Sequence, residues 1–566
     1  MIKEKILKNK TAVISAVILG VLMIWPYLHL IVALGGEFNG ILPPLASDEL
    51  FYNARVQDVL DGYSTIGNAY LFEHKDSLSI QFLSEYLLAQ PLRIFGLTAI
   101  QGRFLYNLLL PLLSFLLTYL AFCLITRSRF WSVIFSALLF FGLYLNNFLR
   151  PVSPQLNFIF WLTQFIFLWK LIKNGSSSKI LIWNAINLGL LFYIYPYYWT
   201  FYVIFLVVLV GIYFIHNREL SFAMAKILVG GSVLAIPYFL SSYFISRTPE
   251  YGETMTRIGL IYSRFPSGIW VIFWAFVSLV LFMFALRSKL IKIDNLALFF
   301  IGGILATVIS VNQHLITGRN LEFSSHYRML SVFFFSFSLA YLWRAYLELN
   351  HRHKKMVSSV LVVMALFTVV QNIGAYLNTY SVAASSEDQE YALLFDWLNR
   401  NTPKGSVVYA NAVLSSLIPV YTSNNVFYSE NANLFLVADD EVLVRFVLNN
   451  FFETFDKEFV VKNVAAIYRV KYADIYGHAV QGNKLRRLLG IKTVPEVYLP
   501  EDAINNVLNR ANQLKNSNLE KELGKYRVDY VLWDKNKNPE WRFDNKKFVS
   551  KIFENNNFVI YSVNLK

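Results

Sequence analysis

The stretch ILPPLASDELFYNARVQDVLDG, residues 41–62, follows directly on a long apolar run and carries two adjacent carboxylates, Asp48 and Glu49. An acidic pair at the point where a chain leaves a membrane has two readings. In the first, Ser47 is the N-cap of a helix, and acids in the first turn satisfy orphan amides and favour the positive end of the helix dipole. Leu50, Tyr52, Ala54, Val56, Val59 and Leu60 then make a part-apolar helix lying on the membrane. In the second, the pair does chemistry at the boundary between lipid and water.

The composition around this stretch is that of a membrane protein. The 566 residues are 56% hydrophobic, 17% aromatic and 16% charged, where a soluble domain carries about 25% charged residues. Residues 1–380 hold run after run of apolar sequence, each near the ~20 residues that cross a bilayer as a helix. Residues 381–566 have mixed polarity and short alternating segments. The expected fold class is therefore a polytopic α-helical membrane domain, 1–380, followed by an extracytoplasmic globular α/β or α+β domain, 381–566. Eleven spans are expected, at 11–34, 97–125, 131–148, 157–172, 179–195, 198–215, 222–246, 268–286, 295–312, 329–347 and 356–378. The first is too long for a signal-peptide core and reads as a retained span.

Charge placement tests the count. With the N-terminus inside, Lys3, Lys5, Lys8 and Lys10, Arg127 and Arg129, Lys173 and Lys179, Arg218, Arg287, Lys289 and Lys292, and Arg352, Lys354 and Lys355 all fall inside. The outer loops keep Arg150, Arg247, Arg257, Arg264, Arg319 and Arg328. This is the positive-inside pattern. An odd count then places residues 35–96 and 381–566 outside a plasma membrane. The net charge of +14 is largely such a topology signal, not the basic face of a nucleic-acid binder. The one cysteine, Cys123, permits neither an intrachain disulfide nor a cysteine metal site.

The chemistry-bearing residues gather on the expected outer face. A carboxylate within hydrogen-bond reach of a hydroxyl can take its proton. Arginine offers a bidentate fork to a phosphate. Arg328, Arg319 and Arg150 share that face, with His326 two residues before Arg328; Tyr52 and Arg55 lie one helical turn from the acids. Simpler roles stand beside these: Arg328 as a head-group anchor, His326 as a structural side chain, and Arg55 pairing with Asp58. Glu73, His74 and Asp76 match no metal-ligand spacing and read as a solvated loop. The aromatic run 193–202 reads first as an interfacial belt.

The first outer segment resembles the start of the first outer loop in GT-C glycosyltransferases, multi-span enzymes that use polyprenyl-phosphate-linked sugars. SDELFYNARVQDVLDG matches an acidic pair, an aromatic residue, an Arg and a closing Gly; LSIQFLSEYLLAQPLRIFG, 78–96, matches a return helix. NQHLITGRNLEFSSHYR, 312–328, resembles a late outer loop of bacterial members, and 394–429 resembles the opening of their C-terminal outer domain. The resemblance implies an inverting hexosyl- or pentosyltransferase of the cell envelope. Its donor is a polyprenyl-phosphate sugar and its acceptor a lipid, glycan or protein. It implies Asp48 as general base and Glu49 as supporting acid or metal ligand. Arg328, His326, Arg319, Arg150, Tyr52 and Arg55 are its substrate-binding candidates. Any cofactor would be a divalent cation, Mg²⁺ or Mn²⁺. LRPVSPQ, 149–155, lacks the second acidic motif that many members carry there, which leaves metal dependence open.

Two rivals differ in kind. A flippase or transporter keeps ionisable groups near the bilayer midplane, whereas His29, Arg103, Lys170 and Arg344 lie toward span ends. A non-catalytic assembly protein of envelope glycan synthesis would fit a decayed site. The topology itself is testable: in a Cys123→Ser background, Ser386→Cys should react with an impermeant thiol reagent on intact cells. Reaction only after the membrane is opened would mean that the span count is wrong.

Overall fold

The computed structural model describes residues 9–63, 67–77, 82–321, 325–349, 353–379 and 386–565. Parts of two resembling stretches, 78–81 and 322–324, and the basic residues Lys3, Lys5, Lys8 and Arg352 lie outside the described residues.

All eleven expected spans contain helix. Among the described residues, eight helices are long and apolar enough to cross a membrane, nine if Arg218–Leu234 with Ile236–Ile245, bent by 51°, is counted as one span. The helices at Arg129–Leu143 and Ser178–Phe192 are shorter. At 1.5 Å per residue each falls short of the ~30 Å hydrocarbon core. The first of them widens into a π turn at Leu138–Leu143. Removing both leaves the count odd, which keeps the first loop segment and the C-terminal region on one side, but it would put Arg150 opposite Asp48, its partner at 2.7 Å.

Local signals set the helix ends. Thr98 and Gln101 form a reciprocal capping box at the start of Ala99–Thr126, satisfying two orphan amides. Ser128, Ser177, Asn217 and Asp294 cap later helices through their side chains. Gly96, at φ +65°, ends Leu83–Phe95 in a left-handed conformation that costs glycine little.

The helices are held together by interlocking aromatic rings. Phe158 and Phe333 approach to 4.4 Å between centroids, as do Phe165 and Phe337. Trp161, Phe201, Phe205, Phe299 and Phe334 continue the cluster through four helices. Helix association in lipid relies on close packing rather than on hydrophobic driving force, and this seam supplies it. The last helix, Lys354–Leu377, is peripheral: Val363, Met364, Phe367 and Val370 face outward, while Asn372 Nδ2 donates to Gly142 O at 2.7 Å.

Beyond the helices, β1, Leu260–Tyr262, pairs antiparallel with β2, Arg319–Leu321, in a two-stranded sheet. The C-terminal region has a five-stranded mixed sheet. Its strands are β3, Val407–Tyr409, β4, Asn425–Val426, β5, Tyr530–Asp534, β6, Val549–Glu554, and β7, Phe558–Val563, in the order β4-β3-β5-β7-β6. β3 runs parallel to β4 and β5, and the other pairs are antiparallel.

The first outer segment and this region form one cover. Gln389 Nε2 donates to Ile41 O at 2.8 Å and its Oε1 accepts from Asn39 N at 2.9 Å. The Tyr421 hydroxyl accepts from Leu42 N at 2.9 Å. Glu73 and His74, read as a solvated loop, pair with the C-terminal region, Glu73 with Arg445 at 2.9 Å and His74 with Glu441 at 3.0 Å.

One contact tests the aromatic seam. A Cβ on Gly303 would sit 1.8 Å from Phe334 Cζ, so Gly303→Val should cost about 1–3 kcal/mol through overpacking. It should lower the thermal unfolding temperature in detergent. An unchanged transition would show that the ring has room to move.

Candidate active site

The acidic pair divides its labour. The helix that starts at Glu49 runs to Leu60, and its cap position is Asp48 rather than Ser47. Neither acid does what the capping reading requires: the Asp48 side chain makes no cap hydrogen bond, and Ser47 Oγ donates to Asp48 Oδ1 at 3.3 Å.

Glu49 is fully buried. Its Oε2 accepts from Leu45 N at 2.5 Å and lies 3.5 Å from Arg103 Nη1, and its Oε1 accepts from the Tyr27 hydroxyl at 3.2 Å. Arg103, also buried, donates to Leu42 O at 2.9 Å and lies over the Tyr27 ring. Burial lifts the Glu49 carboxyl above the ordinary carboxylate range, and Arg103, the Leu45 amide and the Tyr27 hydroxyl oppose the lift. Such a carboxylate ties the first span, the second and the link between them. It does not line the cavity around Asp48, where a supporting acid was expected.

Asp48 turns the other way. Its side chain is 43% exposed and Oδ2 accepts from Arg150 Nη1 at 2.7 Å. It lines a cavity of about 460 Å³ between one end of the helices and the C-terminal cover. Arg150 lies over the Tyr52 ring, 5.5 Å from its centroid. Arg55, also on the cavity wall, pairs not with Asp58 but with Glu85, at 2.8 Å; Asp58 pairs with Lys75. Burial lifts Glu85 above its usual range, with Arg55 opposing. His326 faces the cavity with Nδ1 3.1 Å from the Tyr195 hydroxyl, and it stacks on Tyr197 at 4.5 Å. Two members of the aromatic run 193–202 are thus wall and support, not only belt.

Of the expected site residues, the cavity brings together Asp48, Tyr52, Arg55, Arg150 and His326. Arg328 is not among them. It lines a separate cleft of about 290 Å³ with Trp270, Trp274, Val332 and Phe335. Arg319 is exposed on β2 and lines neither space. The arginines of 319–328 therefore do not converge on Asp48: two residues at about 100° each turn His326 and Arg328 to opposite faces.

Sequence reading missed two contributors. Arg103 gives no motif, only a charge near a span end. Arg469 comes from the C-terminal cover and lines the cavity. Its backbone is at φ +50°, ψ −125°, a conformation that a non-glycine residue adopts at a cost of order 1–3 kcal/mol. YRVK, its local sequence, gives no sign of this.

The residues present do not fit a divalent cation. Each carboxylate at the cavity or beside it is engaged by its own arginine: Asp48 by Arg150, Glu49 by Arg103 and Glu85 by Arg55. Among the described residues no group of three or more His, Cys, Asp or Glu side chains is placed to hold a metal.

No family model matches the chain, and no curated protein matches it. Among solved structures it is similar to ArnT from Cupriavidus metallidurans in the apo state, at 13% identity and a TM-score of 0.42, over 95% of this chain and 97% of that one. The same enzyme bound to undecaprenyl phosphate gives 13% identity and a TM-score of 0.39, over the same shares. The apo oligosaccharyltransferase of Archaeoglobus fulgidus gives 11% and 0.37, over 93% of this chain and 69% of that one. At these scores the likeness assigns no activity.

The two acids should separate in stability. Glu49→Ala leaves Arg103 buried without its counter-charge and should cost about 3–5 kcal/mol. Asp48→Ala breaks a part-exposed pair and should cost about 1 kcal/mol or less. Equal losses in thermal unfolding would contradict the division of roles.

Proposed function

We propose that this chain is a membrane glycosyltransferase. It moves a sugar from a polyprenyl-phosphate carrier to an acceptor on the outer face of the membrane, with inversion. The observation that carries the reading is the exposed carboxylate of Asp48, fixed by Arg150 in a cavity at the exit of the first span. The likeness of residues 47–62 to the first outer loop of GT-C enzymes supports it.

In the proposed reaction the acceptor oxygen attacks the anomeric carbon as the carbon–oxygen bond to the phosphate breaks. The acceptor proton passes to Asp48, and the bonding pair leaves on the prenyl phosphate. Asp48 Oδ2 is held by Arg150, so Oδ1, which accepts only the long Ser47 contact, is the oxygen turned to the hydroxyl. Arg150 has further N–H groups beyond the one given to Asp48. It is placed to meet the negative charge that grows on the leaving phosphate, the largest kind of electrostatic contribution to such steps. Tyr52 supports Arg150 from its ring face. Arg328, in its apolar cleft with Trp270 and Trp274, serves the carrier lipid and not the reacting carbon. No step uses a metal ion.

The test is release of free polyprenyl phosphate from a panel of polyprenyl-phosphate sugars by the reconstituted protein, with envelope extract as acceptor. Asp48→Asn should fold and insert yet turn over about 10²–10⁴-fold more slowly, the usual cost of losing a general base. Arg328→Ala should weaken donor use without matching that loss in kcat. EDTA should leave wild-type turnover unchanged. Near-wild-type turnover of Asp48→Asn would remove it as base, and abolition by EDTA with rescue by Mg²⁺ would overturn the arginine-paired account.

A further inference from the structure

The C-terminal cover has a feature that the cavity does not use. The helix Lys471–Leu488 begins where Arg469 and Val470 line the cavity wall. At 1.5 Å per residue it is about 27 Å long. Along its length it meets the β1–β2 sheet, where His478 Nε2 lies 3.3 Å from Asn320 Nδ2. Near its far end Arg486 sits over the Phe265 ring at 4.4 Å. Phe265 is four residues before the helix Ile269–Arg287, the candidate span of highest hydropathy. Four residues of chain reach at most about 14 Å, so this end of the helix stands at the height where that span enters the bilayer.

The end is apolar and exposed. Leu488 is 80% exposed, Leu489 58% and Ile491 50%, with Val494 and Val497 exposed beside them. The turn is built to hold these side chains out. Asn483 donates to Val494 O at 2.7 Å and to Glu496 Oε1 at 2.8 Å, and its Oδ1 accepts from Val494 N at 2.9 Å. Lys484, Arg486, Arg487 and Lys492 surround the patch, and Glu496 is its one acid, bonded to Arg487 at 3.1 Å. A cluster of exposed large apolar residues marks an interaction surface. An apolar patch ringed by Lys and Arg at head-group height fits an anionic lipid surface, where basic residues add attraction.

We infer that residues 484–498 form a membrane-contacting tip that dips into the outer leaflet beside the Ile269–Arg287 helix and takes anionic phospholipid head groups. Its partner is the bilayer, because charge, height and continuity with the span entry all agree on it. One rigid helix then links the bilayer to the cavity wall at Arg469, which fixes the cover over the cavity. The inference does not rest on the sugar-transfer reading.

The experiment uses the full chain in a Cys123→Ser background, reconstituted in lipid nanodiscs. An environment-sensitive fluorophore is attached to Leu489→Cys, to Ile491→Cys and, as comparator, to Ile552→Cys on the exposed edge strand β6. The tip probes should emit at shorter wavelength than the comparator and lose intensity when spin-labelled lipid is included. Both effects should grow when phosphatidylglycerol replaces part of the phosphatidylcholine. Tip probes that remain water-like and unquenched in both lipids would overturn the inference. So would probes that shift only when unlabelled copies of the protein are added, since the tip would then face a second copy.

Discussion

The site depends on one buried ion pair. Glu49 and Arg103 are both closed off from water, and the pair bridges the first two spans near their ends at the C-terminal cover. A buried charge is tolerated only when it is paired and its remaining valences are hydrogen-bonded. Here the Leu45 amide and the Tyr27 hydroxyl bond Glu49 and the Leu42 carbonyl takes one Arg103 N–H, while Arg103 Nε has no hydrogen-bond partner among the described residues. Since Glu49 is locked inward at the first residue of its helix, its neighbour must project elsewhere, and Asp48 turns toward Arg150 and the cavity. The strength of the structural acid is what leaves the other one available.

A second constraint is shared ownership of the cavity. Its walls come from the first outer segment, the 150–157 turn, the 245–258 segment, His326 and the C-terminal cover. The cover is knit to the outer segment by Gln389, Tyr421, Arg445 and Glu441, and to the 251–257 helix by the Arg257–Asp439 pair. No single element can shift without disturbing the geometry around Asp48. A helix bundle whose seam is built from interlocked rings supplies the rigidity that a preorganised site needs.

Much of this was legible in the sequence, for identifiable reasons. Apolar runs of spanning length marked every membrane helix, because lipid imposes a composition that soluble context does not. The acidic pair and its partners Tyr52, Arg55, Arg150 and His326 were also legible, as polar groups bordering apolar runs. The pairings were not. Arg103 looked like any charge near a span end, and Glu85, the partner of Arg55, lay in a segment read as a return helix. Arg328 and His326 are two residues apart in sequence, yet a helix starting at Tyr327 turns them to different faces. In the C-terminal region β6 is hard to read from sequence because Lys551 and Glu554 make it polar, as edge strands often are. The Lys471–Leu488 helix is hard to read because two glycines and scattered charges leave it without an apolar face.

The central claim is that Asp48 and Arg150 face the reacting bond. The most direct test is a structure of the protein with a non-transferable phosphonate analogue of a polyprenyl-phosphate sugar. The account places the analogue's phosphonate against Arg150 and its anomeric carbon in the cavity, with a hydroxyl-sized space about 3 Å from Asp48 Oδ1. An analogue seated with its sugar in the Arg328 cleft, away from Asp48, would contradict it.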